Sequence, residues 1–292
     1  MMNVMDQFTS LVTGANTGLG RSTAQALAAR GDRVIFACRT QEKARAAMET
    51  VATATGSDQL EFLALDLADL DQVRGAARTL VERGDPLHLV VANAGVAAQK
   101  GATAQGFELA FGVNHLGHFL FVTELLPLLT ASSPAPDGAP ARVVVVSSGS
   151  HYDAKKGIDF GAVRQPTSSF SGMPEYAVSK LANVLFVQEL ARRTAPDDLY
   201  VVALHPGNLI GTDVMRRVPK PVESLVKRFR PSPEEGARTS VMCATSPEVL
   251  PHRGEYYSVL KLKEPSTLAT PELGAELWQR SEGWTEQDRS RS

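Results

Sequence analysis

The chain has 292 residues, 43% of them hydrophobic and 21% charged, with a formal net charge of -2. That composition supplies a core and excludes a disordered chain, and the near-neutral balance, with no long single-sign run, offers nothing to nucleic acid or an anionic membrane surface. Two distant cysteines, Cys38 and Cys243, exclude a disulfide framework and the paired spacing of a zinc site, and fit a reducing compartment.

Met1 to Phe8 is too short and polar for a signal peptide, and no run of roughly eighteen apolar residues occurs, so a cytoplasmic location is expected. The first β-run, Ser10–Val12, leads into a glycine-rich turn and a helix over Gly18–Arg30 that Gly31 stops. Further strands are expected at Arg33–Ala37, Leu60–Ala64, Leu87–Ala92, Arg142–Ser147, Tyr200–Leu204 and Glu255–Tyr257, with helices between them. Among these helices are Phe107–Leu129 and Glu175–Thr194, the latter ending before Pro196. Strands alternating with helices predict a Rossmann-type doubly wound α/β fold, a mainly seven-stranded parallel sheet with helices on both faces, as a single domain over residues 1–292. The uninterrupted run Val143-Val144-Val145-Val146 suits a strand covered on both faces. Ala131–Pro140 is rich in breakers and reads as a surface loop, and Thr285–Ser292 as a polar, frayed tail.

Three groups of residues carry chemistry. In Thr13-Gly14-Ala15-Asn16-Thr17-Gly18-Leu19-Gly20 the glycines allow a tight turn, and the following helix N-terminus offers N–H groups to a pyrophosphate. After the second strand, where NAD-binding proteins of this architecture present an acid to the ribose, stands Arg39, a bidentate donor suited to a 2′-phosphate; NADP(H) is therefore expected over NAD(H). A solvent-facing Arg39 is the rival, and Lys43 and Arg45 could assist or merely coat a helix. Tyr176 and Lys180 share one helix face, and a nearby ammonium favours the phenolate of a residue whose free pKa is about 10. Ser147-Ser148 ends the Val-rich strand at the edge where ligands bind, with Ser148 the first choice and Ser147 the alternative. His115 and His118 stand three apart with no third ligand nearby, so no metal is expected.

Together these motifs resemble the short-chain dehydrogenase/reductase family in the same order along the chain. Ala37-Cys38-Arg39, Asn114-His115-Leu116-Gly117-His118-Phe119 and His205-Pro206-Gly207-Asn208 are similar to the branch that holds retinol dehydrogenases, WW-domain oxidoreductase and protochlorophyllide reductase. The resemblance implies NADP(H)-dependent interconversion of a carbonyl and an alcohol on a fairly apolar small molecule, with Tyr176 as general acid/base. The alternatives are a catalytically silent NADP(H)-binding regulator and a reductase of a ring or imine double bond. By the same resemblance the catalytic set is Asn114, Ser148, Tyr176 and Lys180. Ser148 would hydrogen-bond the substrate oxygen, Lys180 the nicotinamide ribose, and the Asn114 side chain a water leading to Lys180. Cofactor contacts would come from Gly14, Asn16, Thr17, Gly18, Leu19, Gly20, Arg39, Asp66, Leu67, Asn93, Ala94, Gly95, Tyr176, Lys180, Pro206, Gly207, Asn208 and Thr212. Asp66 and Leu67 would meet the adenine, although Asp66 could also be a helix cap. Residues about 209–230 would form a substrate lid, and the pocket wall would draw on Tyr152, Phe160, Phe170 and Met173. A homodimer or homotetramer through the two long helices is expected, with neither nucleic acid nor membrane as partner.

Overall fold

The structure is a computed structural model and describes residues 7–207 and 232–289. Its first half contains β1 (Thr9–Thr13), α1 (Gly18–Arg30), β2 (Arg33–Cys38), α2 (Gln41–Thr55), β3 (Leu60–Ala64), α3 (Leu70–Arg83) and β4 (Leu89–Ala92). Next come α4 (Leu109–Ala131), β5 (Ala141–Val146), α5 (Met173–Arg193), β6 (Leu199–His205), α6 (Pro233–Thr245), β7 (Tyr256–Ser258), β8 (Lys261–Leu262) and α7 (Pro271–Arg289). The strands form one sheet in the order β3-β2-β1-β4-β5-β6-β7-β8. All neighbours are parallel except β7 and β8. This is a Rossmann-like sheet whose winding reverses between β1 and β4, which opens a crevice at their carboxyl ends.

Strands β1 to β7 feed both faces of the sheet. Leu11, Val90, Val143 and Val145 join a core cluster with α3, α4, α5 and α7, while Val12, Val91, Val144 and Val146 join one with α1, α2 and α6. Alternate side chains point to opposite faces, so a strand buried on both sides must be apolar throughout, which accounts for the four-valine run in β5. The seven expected strands are present within two residues of their expected bounds. The eighth, β8, adds a short antiparallel edge that the sequence pattern did not reveal.

Two helices differ from expectation. The expected Phe107–Leu129 helix is interrupted by a π-turn at Gly112–Leu116, where the Gly117 N–H bonds the Gly112 carbonyl. Such widened turns insert one residue and gather at functional sites; here the turn contains Asn114. Helix α4 is long and apolar enough to cross a membrane, yet 78% of its apolar stretch is buried within the fold. The second difference lies at the end of the chain: Thr285–Arg289, expected to fray, continue α7, and Thr285 is only 5% exposed.

Helix α7 packs along α5 and touches α4. The Trp278 ring stacks on Phe186 with centroids 5.9 Å apart and meets Phe119 edge-on at 5.0 Å, while Trp284 lies 5.4 Å from Phe107. These are the two helices from which assembly is expected, and α7 lies against both.

Candidate active site

The crevice floor begins at the glycine-rich turn. The Gly14 N–H bonds the Ala37 carbonyl at 2.8 Å, which ties the turn to β2. Gly18 opens α1 at φ +53°, a region costly for residues with a Cβ. Gly20 is required by proximity, because a Cβ there would sit 2.5 Å from both the Gly14 carbonyl oxygen and Asn93 Nδ2. Thr17 is the N-cap residue, but its hydroxyl makes no capping bond, and no acid occupies the first turn. The first N–H groups of α1 therefore keep their capacity for an anion, and the donor set fits a pyrophosphate. Composition alone did not reveal one further tie: the Cys38 thiol accepts the Ala15 and Asn16 N–H groups, while burial pushes its pKa up to about 11.

Arg39 is exposed at the carboxyl end of β2 and has no hydrogen bond or ion pair among the described residues. Lys43 and Arg45 are exposed on α2. Asp66 Oδ1 accepts the Ala68 N–H at 3.0 Å, whereas the cap of α3 is Asp69, whose carboxylate accepts from Asp71. The cap reading of Asp66 is thereby removed. Leu67 is buried beneath α4, its carbonyl oxygen 2.5 Å from where a Cβ on Gly117 would lie.

At the winding reversal, Asn93 joins β1 to β4. Its Nδ2 donates to the Thr13 carbonyl at 2.8 Å, and the Asn93 and Ala94 N–H groups both donate to Thr13 Oγ1 at 2.9 Å. Gly95 follows, exposed, with a hypothetical Cβ 3.0 Å from Asn114 Oδ1. The Asn114 side chain has three protein partners. Oδ1 accepts the Val96 N–H at 2.8 Å, and Nδ2 donates to the Val96 carbonyl and to Ser179 Oγ, each at 2.9 Å. It is thus a strut between the loop after β4 and helix α5. His115 and His118 diverge, the first reaching Ser281 Oγ at 3.1 Å and the second Thr13 Oγ1 at 2.9 Å.

The two serines separate cleanly. Ser147 is 2% exposed and its hydroxyl donates to the Lys180 carbonyl at 2.8 Å, so it is spent on packing α5 against the sheet. Ser148 is half-buried, caps a short 3₁₀ turn at Gly149–Asp153 by accepting the Ser150 N–H at 3.1 Å, and stands close enough to the Tyr176 phenol to lower its pKa. Lys180 Nζ lies 5.6 Å from the Tyr176 ring centre and donates to the Val146 carbonyl at 2.9 Å. Burial raises the Tyr176 pKa above its ordinary value, with the Ser148 hydroxyl opposing. Burial pushes Lys180 down to about 7.

That shift has a measurable consequence. Between about pH 7 and 10.5 the unfolded chain holds a Lys180 proton that the folded chain does not, so this residue makes stability rise with pH across that window. In urea melts without nucleotide, the stability of the unmodified protein relative to Lys180→Met should climb by up to about 1.4 kcal/mol per pH unit there. Parallel pH–stability curves would refute the buried-ammonium geometry.

Other expected site residues are placed unequally. Pro206 and Gly207 stand half-buried at the end of β6, Gly207 at φ +117°; Asn208, Thr212 and the lid segment lie outside the described residues. Of the expected pocket wall, Phe170 is 93% and Met173 38% exposed just ahead of Tyr176. Phe160 packs instead near Trp284 and Arg280, and the Tyr152 hydroxyl donates to the Glu264 carbonyl.

A model of the family described as short chain dehydrogenase matches residues 9–222. WW domain-containing oxidoreductase of Danio rerio is 38% identical over 281 residues, covering 93% of this chain and 67% of that protein. Human retinol dehydrogenase 13 is 36% identical over 285 residues, covering 94% and 83% respectively. Among solved structures, an uncharacterized protein from Mycobacterium Paratuberculosis superposes with a TM-score of 0.74 at 32% identity, covering 96% of this chain and 94% of its own.

Proposed function

The chain belongs to the short-chain dehydrogenase family and is an oxidoreductase of that kind, and from that premise we propose that it uses NADP(H) to interconvert an aldehyde or ketone and an alcohol. The observation that carries the reading is that helix α5 packs on the 3₁₀ turn capped by Ser148 and carries Tyr176 with Lys180 Nζ 5.6 Å from its ring. A carbonyl oxygen placed between the two hydroxyls would take a hydrogen bond from Ser148 as negative charge develops and a proton from Tyr176. Tyr176 would donate that proton in the reducing direction and take it back in the oxidising one. Lys180, in its protonated form, places positive charge close to the phenol and aids it when the reaction leaves Tyr176 deprotonated.

The cofactor would lie across the crevice. The glycine-rich turn from Gly14 to Gly20 would hold its pyrophosphate, Arg39 its 2′-phosphate, and Asp66 and Leu67 its adenine. Asn93-Ala94-Gly95 would line its flank, Tyr176 and Lys180 would face the nicotinamide ribose, and Pro206 and Gly207 the carboxamide. The chemistry supplied by bound NADPH is a hydride for the carbonyl carbon. Exposed Phe170 and Met173 beside Tyr176 support a fairly apolar substrate. A cytoplasmic enzyme belongs to the same reading, because the apolar helix α4 is spent on the core.

The test is to titrate NADPH and NADH by fluorescence and then screen aldehydes and ketones for NADPH oxidation. Arg39→Ala should weaken NADPH binding about ten- to hundredfold, the worth of hydrogen bonds to a charged group, and leave NADH binding unchanged. Equal losses for both nucleotides would defeat the 2′-phosphate assignment. NADPH binding without turnover would favour the regulatory alternative, and turnover confined to ring or imine substrates the other.

A further inference from the structure

One fully buried group of this site has no part in the chemistry above. His118 is 1% exposed and lies one turn beyond Asn114 on α4. Its Nδ1 is 3.1 Å from the Asn114 main-chain carbonyl, which can only accept, so Nδ1 carries the ring hydrogen. Nε2 then presents its lone pair to Thr13 Oγ1 at 2.9 Å, and the Thr13 hydroxyl donates there in preference to the Val91 carbonyl, 3.5 Å away. With its only proton committed to the ring, Thr13 Oγ1 turns its lone pairs toward the Asn93 and Ala94 N–H groups. A doubly protonated ring would instead aim a third donor at that oxygen; burial, with Lys180 adding to it, drives the His118 pKa down to about 4 and prevents this.

We propose that His118 is a positioning residue with two separable duties, Nε2 fixing the Asn93-Ala94-Gly95 turn for the cofactor and Nδ1 fixing Asn114 for catalysis. The second duty reaches the chemistry through a continuous chain. Asn114 grips Val96 and Ser179, and the Ser179 hydroxyl donates to the Tyr176 carbonyl at 2.7 Å. The π-turn brings this about by placing Asn114 in a widened part of the helix that faces both the loop and α5. The proposal rests on the oxidoreductase reading, since only a bound nucleotide and a reacting carbonyl give the two duties different readouts.

The experiment compares the unmodified chain with His118→Asn, His118→Gln and His118→Leu for NADPH dissociation constant, kcat on the best carbonyl substrate, and urea stability. The Asn amide reproduces a donor near Nδ1, and the Gln amide an acceptor near Nε2. His118→Gln should therefore lose kcat about tenfold with the smaller change in NADPH affinity, His118→Asn should show the reverse split, and His118→Leu should show both losses. A nitrogen-correlated NMR spectrum of the unmodified protein should show His118 as the Nδ1–H tautomer with no titration above pH 5. Variants whose kcat and NADPH affinity fall together, in proportion to lost stability, would overturn the proposal, as would an Nε2–H tautomer. An unmodified chain that binds no NADPH would defeat the oxidoreductase reading and this proposal with it. Normal binding and turnover with variants that do not split would defeat this proposal alone.

Discussion

Tyr176→Phe is expected to lower kcat for carbonyl reduction by about 10²- to 10⁴-fold, the usual worth of a positioned proton donor, while NADPH binding and thermal stability stay close to those of the unmodified protein. The substitution removes one oxygen from a half-buried ring and leaves its shape intact, so α5 should keep its seat on the sheet. Ser148 keeps its bond from the Ser150 N–H, so its hydroxyl can still turn to a substrate oxygen. Stopped-flow single turnovers with NADPH and a reactive aldehyde separate chemistry from product release. A variant retaining more than about a tenth of the rate would move the proton-donor role away from Tyr176, with Ser148 the nearest hydroxyl to inherit it.

Trp278→Ala should cost about 3–5 kcal/mol of folding stability, read from urea melts, with the expected value toward the lower end. The indole is 6% exposed between Phe119 on α4 and Phe186 on α5, with the Arg193 guanidinium 4.6 Å from its centroid. Truncation opens a cavity among rings that cannot collapse inward, because α4 and α5 are each anchored to the sheet. The lower end follows from Trp278 Nε1, which is buried without a hydrogen-bond partner among the described residues, so its removal returns part of an existing penalty. A loss under about 1 kcal/mol would mean that α7 is not seated on α5 in solution.

The residues legible from sequence are those whose meaning is local. Tyr176 and Lys180 lie on one helix face, the glycine-rich turn joins a strand directly to a helix, and the four valines of β5 report burial on both sides wherever they sit. What stayed hidden depends on partners distant in the chain. Ser147 and Ser148 are chemically identical in sequence, and only the bond from Ser147 to the Lys180 carbonyl assigns one to packing and the other to the crevice. Asn114 was visible as an odd residue in an apolar helix, but its work is to join Val96 to Ser179. His118 was legible as part of a motif but not in its role, because its partners are a hydroxyl at the far end of β1 and a main-chain carbonyl. Helix α7 was missed because two of its inward positions are Ser281 and Thr285, which dilute the apolar stripe that marks a packed helix.

The position of α7 in the chain bears on synthesis as well as on packing. Domains begin to organise from the N-terminal side as the ribosome delivers them, so β1 to β4 and the nucleotide crevice can assemble while the helix that braces α5 is still untranslated. Until Trp278 and Trp284 emerge, the aromatic faces of α4 and α5 lie open to water and to other chains, and this is the interval in which chaperones would be needed. A message truncated before Pro271 should therefore yield a polypeptide that aggregates through that face, so that losing the final helix registers in the cell as lost abundance before it registers as lost activity.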